Sequence, residues 1–376
     1  MYLFVLMLSP ILIGVGFYLY FFFKGIVDFL GIDPKKRTVK LSLIALSVLL
    51  TALCFNIAGF GTILILHIVM SAMLIQFLNL ILKLIFTDKY KSGFFFWKKV
   101  YKSRVIPIFL TIVILILGYF NLHNVVATKY TIYTDKSIRN DGYKVALLAD
   151  IHYGVSIDDN ELLEKCIEIS SKNPDIVILC GDMVDNLTTK EQMNSLFNHL
   201  STIKSQYGIF YVHGNHDRPM SMINSEYSEQ DLIESIENNG IKILKDDIAQ
   251  ITDDFVIIGR EDRSVDRSQN KRLSLKELIS QVDKQDFILT LDHQPNEYNE
   301  NANAGTDLLL SGHTHGGQIF PLDIIQEIIP FNDGVYGLYQ LDNNSQAIVT
   351  SGVAGWAFPV KTAAPAEYVI IDIKAK

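Results

Sequence analysis

Cysteine is scarce in this chain of 376 residues, which contains only three. Cys54 lies in a long apolar segment, whereas Cys166 and Cys180 lie in helix-like and strand-like apolar contexts. Three cysteines so placed give no disulfide framework, and we expect all of them to be buried thiols. For a domain outside the cytoplasm, this absence favours a bacterial envelope over a eukaryotic secretory route.

Acidic residues are nearly absent from the first third of the chain. Residues 1–127 hold 12 Lys and Arg but only 3 Asp and Glu, whereas residues 128–376 hold 21 and 38. A chain of this length also suggests two parts. Because a strongly acidic surface repels phosphate backbones, we do not expect nucleic acid as a partner.

The first part consists mostly of long apolar runs that carry almost no charge. About 20 apolar residues suffice to cross the hydrocarbon layer of a bilayer. Four predicted spans meet this length: residues 2–23, 41–59, 61–86 and 105–122. The first lacks a basic flank before it and a clear cleavage site, so we expect a retained span and not a signal peptide. The sequence therefore predicts an all-α, four-helix transmembrane region over 1–122, a linker over 123–142 and a soluble domain over 143–376.

Lysine and arginine are absent from one of the loops between these runs and abundant in the others. Five basic residues lie between Lys24 and Lys40, six lie between Lys89 and Arg104, and the hairpin between the second and third runs has none. Because basic loops remain in the cytoplasm, we expect a multi-pass protein of the cell membrane. Its soluble domain would lie on the extracytoplasmic side.

The soluble part contains four short polar motifs, each preceded by a β-type apolar run. They are Asp150-Ile-His152, Gly181-Asp182-Met-Val-Asp185, Gly214-Asn215-His216-Asp217 and Gly312-His313-Thr-His315-Gly-Gly-Gln318, with His293 alone between the last two. In open α/β sheets, ligands bind where the strands end. Seven candidate metal ligands are predicted to converge there: Asp150, His152, Asp182, Asn215, His293, His313 and His315. Such a set is what a two-metal hydrolase needs.

In family order, these motifs resemble those of the calcineurin-like metallophosphoesterases, over about residues 143–376. The G-H-T-H-G-G-Q ending is similar to a membrane-attached bacterial branch with a multi-span N-terminal region. The resemblance implies a four-layer αββα sandwich, whereas periodicity alone supports only mixed α/β. It also implies one metal held by Asp150, His152, Asp182 and His315, and a second held by Asp182, Asn215, His293 and His313, with Asp182 bridging. His216 would be the outer-sphere catalytic histidine, and Asp217 would orient its ring.

The donor types favour a transition metal, because imidazole suits Mn, Fe or Zn better than Mg or Ca. Two divalent ions about 3.5–4 Å apart lower the pKa of a shared water toward ~7. The expected reaction is therefore direct attack of metal-activated hydroxide on phosphorus, with His216 stabilising the phosphoryl oxygen or protonating the leaving alkoxide. Purple acid phosphatases carry a tyrosine ligand to ferric iron where this chain has Asp185. We therefore expect two Mn²⁺ ions, with Zn or Fe²⁺ left open.

The leading hypothesis is a membrane-embedded dimetal phosphoesterase that hydrolyses phosphomono- or phosphodiesters at the outer membrane face. Lipid-linked substrates are favoured because the spans hold the site near the headgroups. One alternative is an envelope phosphodiesterase that acts on soluble nucleotides or cell-wall polymers, with the spans as a tether. Another is a sensor that binds phosphate ligands without turnover.

Three further segments flank the motifs. Ser351-Gly-Val-Ala-Gly355, with Lys361 beyond it, is predicted either to let backbone amides approach a phosphate or to form a turn between strands. Ile319–Phe331 carries isoleucines at helical spacing, which predicts either a helix packed on the core or an apolar lip that contacts acyl chains or the bilayer surface. The loop Arg260–Arg272 carries five basic residues, and we expect it to form a solvated lid, with the binding of a phosphate headgroup as the alternative.

Overall fold

The protein is described by a computed structural model that covers residues 2–56, 59–217, 226–268, 272–329 and 331–376. Close contacts along the chain divide it into two compact units, Met1–Leu117 and Gly118–Lys376. The first unit is helical. The second contains all the strands among the described residues and every motif named above.

The first unit and the junction contain six helices: α1 (Tyr2–Phe29), α2 (Arg37–Leu53), α3 (Phe60–Ile85), α4 (Thr87–Ser92), α5 (Phe95–Ser103) and α6 (Val105–His123). Within the described residues, three helical segments are long and apolar enough to cross a membrane. They are Ser9–Phe29, Phe60–Ile85 and Val105–His123. The apolar helices that the composition predicted are therefore present.

The prediction of a fourth span at residues 41–59 is wrong. The helix found there, α2, has 17 residues, and at 1.5 Å per residue it is about 26 Å long, short of the ~30 Å of a hydrocarbon core. The helix ends at Leu53, and the N–H of Gly59 then donates to the carbonyl of Asn56 at 2.9 Å in a turn. Cys54 and Phe55 therefore do not extend the helix, and residues 57–58 lie outside the described residues.

Among the described residues, the second unit contains twelve strands in two six-stranded sheets. In chain order they are β1 (Val126–Thr134), β2 (Tyr143–Leu148), β3 (Ile176–Cys180), β4 (Ile209–Val212), β5 (Lys242–Ile243), β6 (Asp247–Thr252), β7 (Phe255–Gly259), β8 (Phe287–Leu291), β9 (Leu308–Ser311), β10 (Gly337–Gln340), β11 (Gln346–Val349) and β12 (Glu367–Ala375). The sheet orders are β1-β12-β2-β3-β4-β5 and β10-β11-β9-β8-β7-β6. Part of the segment expected to be a linker forms β1, which pairs in parallel with β12.

Six helices accompany these strands: α7 (Asp159–Ser171), α8 (Lys190–Leu200), α9 (Glu229–Asn238), α10 (Leu275–Ile279), α11 (Tyr298–Ala304) and α12 (Leu322–Ile328). Capping boxes begin α7, α8, α9 and α10. In each, the N-cap side chain and the N3 side chain satisfy backbone N–H groups that a helix start leaves unpaired.

The strands are apolar on both faces because each sheet packs against its partner sheet and against helices. On one face, Val145 and Leu147 of β2 share a buried cluster with Leu289 of β8, which joins the two sheets. On the other face, Leu148 packs with residues of α7 and α8, and Ile258 of β7 packs against α10. The predicted four-layer αββα sandwich is confirmed.

Parallel pairing sets the position of the site. β2, β3 and β4 are parallel neighbours in one sheet, and β7, β8 and β9 are parallel neighbours in the other. The carboxyl ends of each set therefore open at one edge of their sheet, as expected for a ligand site in an open α/β sheet. The three cysteines are free and buried, as their apolar contexts predicted.

Candidate metal centre

The candidate ligands begin two residues beyond the ends of four strands. Asp150 follows β2, Asp182 follows β3, His293 follows β8 and His313 follows β9. Hydrogen bonds join these strand ends, since the N–H of Asp150 donates to the carbonyl of Gly181 at 3.0 Å. The chain leaves each strand and at once presents a polar side chain at the shared edge.

Five candidate ligands have a left-handed backbone that residues with a Cβ rarely adopt. Their φ angles are 52° at Asp150, 40° at His152, 53° at Asp182, 73° at His313 and 51° at His315. Each such residue costs on the order of 1 kcal/mol or more, and such strain clusters at functional sites. Here it turns the side chains of consecutive strand ends toward one another.

Two motif glycines lie directly against candidate carboxylates. A Cβ at Gly214 would overlap the carboxylate of Asp182, and a Cβ at Gly312 would overlap that of Asp150. No residue with a side chain fits at either position without moving a carboxylate. The glycines of these motifs are therefore part of the packing of the site.

One cluster of donors contains Asp150, His152 and His315, all buried. The Nε2 atoms of the two histidines are 3.2 Å apart, and Nε2 of His315 is 3.5 Å from Oδ1 of Asp150. Oδ2 of Asp182 lies 3.8 Å from Nε2 of His152, at the margin of the same cluster. One carboxylate and two imidazoles, donors that suit transition metals, thus surround one point.

A second cluster contains Asp182, His293 and His313, whose donor atoms lie within 4.8 Å of one another. Oδ2 of Asp182 is 3.1 Å from Nε2 of His293. The same carboxylate oxygen therefore faces both clusters. A bridging carboxylate has this position in a centre that holds two cations.

Hydrogen bonds at Nδ1 orient three of the histidines. Nδ1 of His293 donates to the carbonyl of Cys180 at 2.7 Å, Nδ1 of His315 to that of Ala354 at 3.3 Å, and Nδ1 of His152 to Oδ2 of Asp185 at 3.0 Å. A carbonyl or carboxylate can only accept, so in the neutral rings the lone pair is on Nε2, which faces the cluster. Metal-ligating histidines are commonly held in this way. The residues fit a dinuclear metal site.

Burial and mutual charge shift the pKa values of these groups strongly. Burial lowers the pKa of His293, but Asp182 and Asp150 outweigh it and hold that pKa well above its ordinary value. Burial raises the pKa of Asp182, but His293 and His152 lower it overall. Burial lowers the pKa of His315 well below its usual range, with His152 adding to the shift. A cation binds ionised carboxylate and neutral imidazole. An ion that binds at His293 therefore has to displace the proton that the raised pKa of this ring favours.

Asn215 and His216 follow Gly214 in the third motif, and His216 forms a further group of donors with His152 and Asp185. The buried Oδ1 of Asn215 has no hydrogen-bond partner among the described residues, which is consistent with its role as a candidate metal ligand. The backbone N–H of His216 donates to Oδ1 of Asp182 at 2.7 Å, and its ring stands edge-on to that of His152 at 4.9 Å. Burial lowers the pKa of His216. Its imidazole is therefore neutral at pH 7.

Asp217, which we expected to orient the ring of His216, has its carboxylate on backbone amides. Its two oxygens accept the N–H groups of Asp182, Met183, Val184 and Gly214 at 2.7–3.2 Å. Among the described residues, Oδ2 of Asp185 lies 3.8 Å from Nδ1 of His216. Asp217 thus ties the second motif to the third.

Two residues that contribute to the site were not among the predicted metal ligands or catalytic residues. Asp185 pairs with His152, although its place in the G-D-x-x-D motif was noted only because it is not tyrosine. The fully buried amine of Lys361 donates to the carbonyl of Ser351 and lies 3.4 Å from that of Ala354. Ala354 in turn accepts from His315. In the sequence, Lys361 is marked only by the glycine-rich apolar segment that precedes it.

The expectation of a solvated lid at Arg260–Arg272 is wrong for its two terminal arginines. Arg260 and Arg272 are buried, and each lies 3.1 Å from Oδ2 of Asp292 and 2.8 Å from Oε2 of Glu297. Paired acids make the burial of two guanidinium groups tolerable. The partners are 20 to 37 residues away along the chain, so local composition did not reveal them.

Comparison with known proteins gives a consistent identification. The sequence model for calcineurin-like phosphoesterases matches residues 143–317. An uncharacterized metallophosphoesterase of Campylobacter jejuni is 29% identical over 69% of this chain and 67% of its own length. A transmembrane protein with metallophosphoesterase domain from Danio rerio is 27% identical over 62% of this chain and 54% of its own length.

The matched region is thus between about half and two thirds of these relatives. Among solved structures, a dimetal phosphatase from Danio rerio has a TM-score of 0.36 and 12% identity, over 56% of this chain and 87% of that one. The strand-end motifs, their convergence and the matched family model agree. The region that carries the strand-end motifs, residues 143–317, is therefore similar to the calcineurin-like phosphoesterases.

Proposed function

We propose that this protein is a membrane-associated dimetal phosphoesterase that hydrolyses a phosphomonoester or phosphodiester in a lipid-linked substrate. The observation that carries the proposal is the position of Asp182, whose Oδ2 faces His152 on one side and His293 on the other. One carboxylate between two donor clusters is the arrangement that a pair of divalent cations requires.

The ligand sets follow from the two clusters. Asp150, His152, Asp182 and His315 would hold one ion. Asp182, Asn215, His293 and His313 would hold the other, and the many imidazole donors favour Mn²⁺, with Zn or Fe²⁺ as the other candidates. When bound, such a pair lowers the pKa of a shared water and offsets the charge of a phosphoryl group.

The remaining chemistry belongs to the protein's own side chains. Burial lowers the pKa of His216 and so favours its neutral ring. The neutral ring can donate one N–H to a phosphoryl oxygen without adding positive charge to the metal centre. Asp185 accepts from His152 and faces His216, so it orients both rings. Asp217 fixes the loops that carry Asp182 and Gly214. His216, Asp185 and Asp217 are therefore the non-ligand residues that we assign to catalysis and positioning.

The side of the membrane is inferred from the flanks of α6. Six basic residues lie between Lys89 and Arg104, directly before the helix, whereas residues 118–128 carry neither Lys nor Arg. Basic flanks remain in the cytoplasm. We therefore propose that the phosphoesterase domain lies on the extracytoplasmic side of the cell membrane. With three spans, this orientation leaves the five basic residues of Lys24–Lys40 on the same side as the domain, so the proposal depends on the larger basic cluster next to α6.

Metal analysis and turnover test the proposal together. The full chain, purified in detergent and supplied with Mn, Fe and Zn, is expected to retain two metal ions and to hydrolyse phosphoesters in an EDTA-sensitive manner. Asp182→Asn should lose both ions and all turnover, whereas Asp231→Asn on the surface of α9 should change neither. Well-folded protein without stoichiometric metal would refute the dimetal site.

A substrate panel separates lipid from soluble phosphoesters. We expect hydrolysis of long-chain phosphoesters in bilayers to exceed that of nucleotides and cell-wall polymers. A preference for the soluble compounds would reduce the membrane helices to a tether. Metal binding without turnover of any compound would identify a sensor.

A further inference from the structure

The helix that follows the G-H-T-H motif has its apolar side turned outward. In α12, Ile324, Ile325 and Ile328 are 47%, 41% and 72% exposed. They continue a surface of six large apolar side chains, which we call the isoleucine face: Phe320, Ile324, Ile325, Ile328, Ile329 and Phe331. A helix on a water-soluble surface normally turns its apolar side to the core.

Both acidic residues of α12 make contacts with the domain, although Glu327 is itself exposed. The hydroxyl of Tyr339 donates to Oε1 of Glu327 at 2.9 Å, and Oδ1 of Asp323 is buried. Gly317, next to the metal-site motif, approaches the backbone of Asp323 so closely that a Cβ would overlap it. The outward direction of the isoleucines is therefore fixed by packing and hydrogen bonding on the polar side.

The isoleucine face adjoins the metal centre. Phe320 lies five residues after His315 in the chain. Gln318, between them, accepts the N–H of Trp356 at 3.0 Å, and the half-exposed Trp356 ring lies 5.2 Å from that of His216. The isoleucine face and the ring of His216 are thus linked through Gln318 and Trp356, a region that we call the rim of the metal centre.

The same rim contacts the end of an apolar helix. The last six residues of α6, Gly118–His123, belong to the second unit. The N–H of Lys361 donates to the carbonyl of Gly118 at 2.9 Å, and the hydroxyl of Thr362 accepts the N–H of Phe320 at 3.0 Å. Two neighbouring residues therefore connect the end of a helix apolar enough to cross a membrane with the start of the isoleucine face.

We propose that the isoleucine face rests in the interfacial layer of a lipid bilayer and holds the metal centre at the level of the lipid headgroups. Helices with an outward apolar side and a polar side on the protein bind bilayer interfaces in this way. Continuity with the end of α6 favours lipid over a protein partner, because α6 is long and apolar enough to cross a membrane. The inference rests on the proposed function only for the role of the metal centre.

Quenching of tryptophan fluorescence tests the contact directly. The full chain has two tryptophans, and Trp97→Phe with Trp356→Phe removes both. Into this background, Ile328→Trp places a reporter on the isoleucine face, and Ile167→Trp places a matched one on α7, where Ile167 is 63% exposed. Circular dichroism and metal content show that each variant is folded.

Reconstitution into nanodiscs with brominated acyl chains should quench the Ile328→Trp emission by about half or more and leave that of Ile167→Trp unchanged. Absence of quenching at Ile328→Trp, or equal quenching at both positions, would overturn the proposal. Shielding of Ile328→Trp that depends on protein concentration and not on bromine would identify a second copy of the chain as the partner, and would also overturn it.

Turnover gives a second readout. Ile324→Ser with Ile328→Ser should lower hydrolysis of a long-chain phosphoester in the bilayer about tenfold, while hydrolysis of soluble nitrophenyl phosphate stays the same. Ile167→Ser is the control for both substrates. If the parent protein hydrolyses neither substrate, the proposed function fails, and quenching still decides whether the surface contacts lipid. Equal rates for the double variant and parent on both substrates would contradict a role in substrate access.

Discussion

The Nε2 atoms of His152 and His315 lie 3.2 Å apart, with their rings stacked at an interplanar angle of 28°. Each ring donates its Nδ1–H elsewhere, to Asp185 and to the carbonyl of Ala354. Two neutral rings would therefore direct lone pairs at each other, which is unfavourable. Either one proton or a cation between the two nitrogens removes this repulsion.

Metal affinity is accordingly expected to depend on pH. Burial lowers the pKa of His152, but the hydrogen bond to Asp185 and the charges of Asp182 and Asp150 raise it above its ordinary value overall. Below that raised pKa a metal ion must displace a proton, so affinity should fall about tenfold per pH unit. Above it, affinity should level off. Titration with a competing fluorescent chelator from pH 5 to 9 measures this dependence.

Calorimetry in two buffers with different ionisation enthalpies supplies the control, because it counts the protons released on binding. About one proton should be released per first ion at pH 6. Affinity that stays constant from pH 5 to 9 would contradict the shared proton between His152 and His315.

Asp185→Asn should move the pH dependence of metal binding to lower pH. The amide oxygen can still accept Nδ1–H of His152, but the negative charge that raises the pKa of His152 is gone. The ring also becomes a weaker ligand, so affinity at high pH should fall about tenfold. The same chelator titration measures both effects. Asp231→Asn, which breaks the exposed ion pair with Lys190, should change neither.

The convergence of the motifs could be predicted from sequence because each local signal was sufficient by itself. A buried apolar run followed two residues later by Asp or His is visible without any tertiary information, and parallel pairing aligns such ends. The pairing of Asp185 with His152, 33 residues apart, depends on how two strand ends meet. Sequence spacing alone could not assign it.

Two predictions failed for related physical reasons. Hydropathy counts apolar residues but does not detect where a helix ends. The predicted span over residues 41–59 therefore missed the end of α2 at Leu53. Arg260 and Arg272 are solvated charges by composition, and only the fold brings Asp292 and Glu297 to them. In both cases, the prediction used the average composition of a segment, whereas the structure depends on where a helix ends or on contacts with distant residues.

His216→Ala should retain both metal ions and lose turnover by about 10²–10⁴-fold. The ring is no ligand in the assigned sets, and its backbone N–H, which donates to Asp182, survives the substitution. Metal analysis beside kcat separates the two effects. His199→Ala on α8 serves as the control, since His199 pairs only with the exposed Asp159 among its described ion pairs. Full activity of His216→Ala on every phosphoester would show that the assigned role is wrong.

Asp217→Asn should destabilise the fold more than it impairs any proton transfer. The carboxylate accepts four backbone N–H groups, and an amide group would turn its own N–H₂ toward some of them. Each buried donor left unpaired costs about 1–3 kcal/mol. Tm should therefore fall, with loss of metal, because the loop of Asp182 loosens. An unchanged Tm with a reduced kcat would instead support the orientation of His216 by Asp217.

Lys361→Met should weaken one metal site and spare the other. The buried amine donates to the carbonyl of Ser351 and lies 3.4 Å from that of Ala354, the acceptor that orients His315. Methionine fills the space but donates nothing, so the loop and His315 are held less firmly. Affinity for the ion bound by His315 should fall about tenfold.

The second ion, which His293 and His313 would bind, provides the internal control for Lys361→Met. His293 is oriented by Cys180, whose carbonyl does not contact Lys361. A two-step metal titration should therefore show one weakened step and one unchanged step. Equal weakening of both steps would indicate general unfolding, and two unchanged steps would show that Lys361 does not position His315. Because burial lowers the pKa of Lys361 to about 8, the amine is charged at pH 7, where the titration should be made.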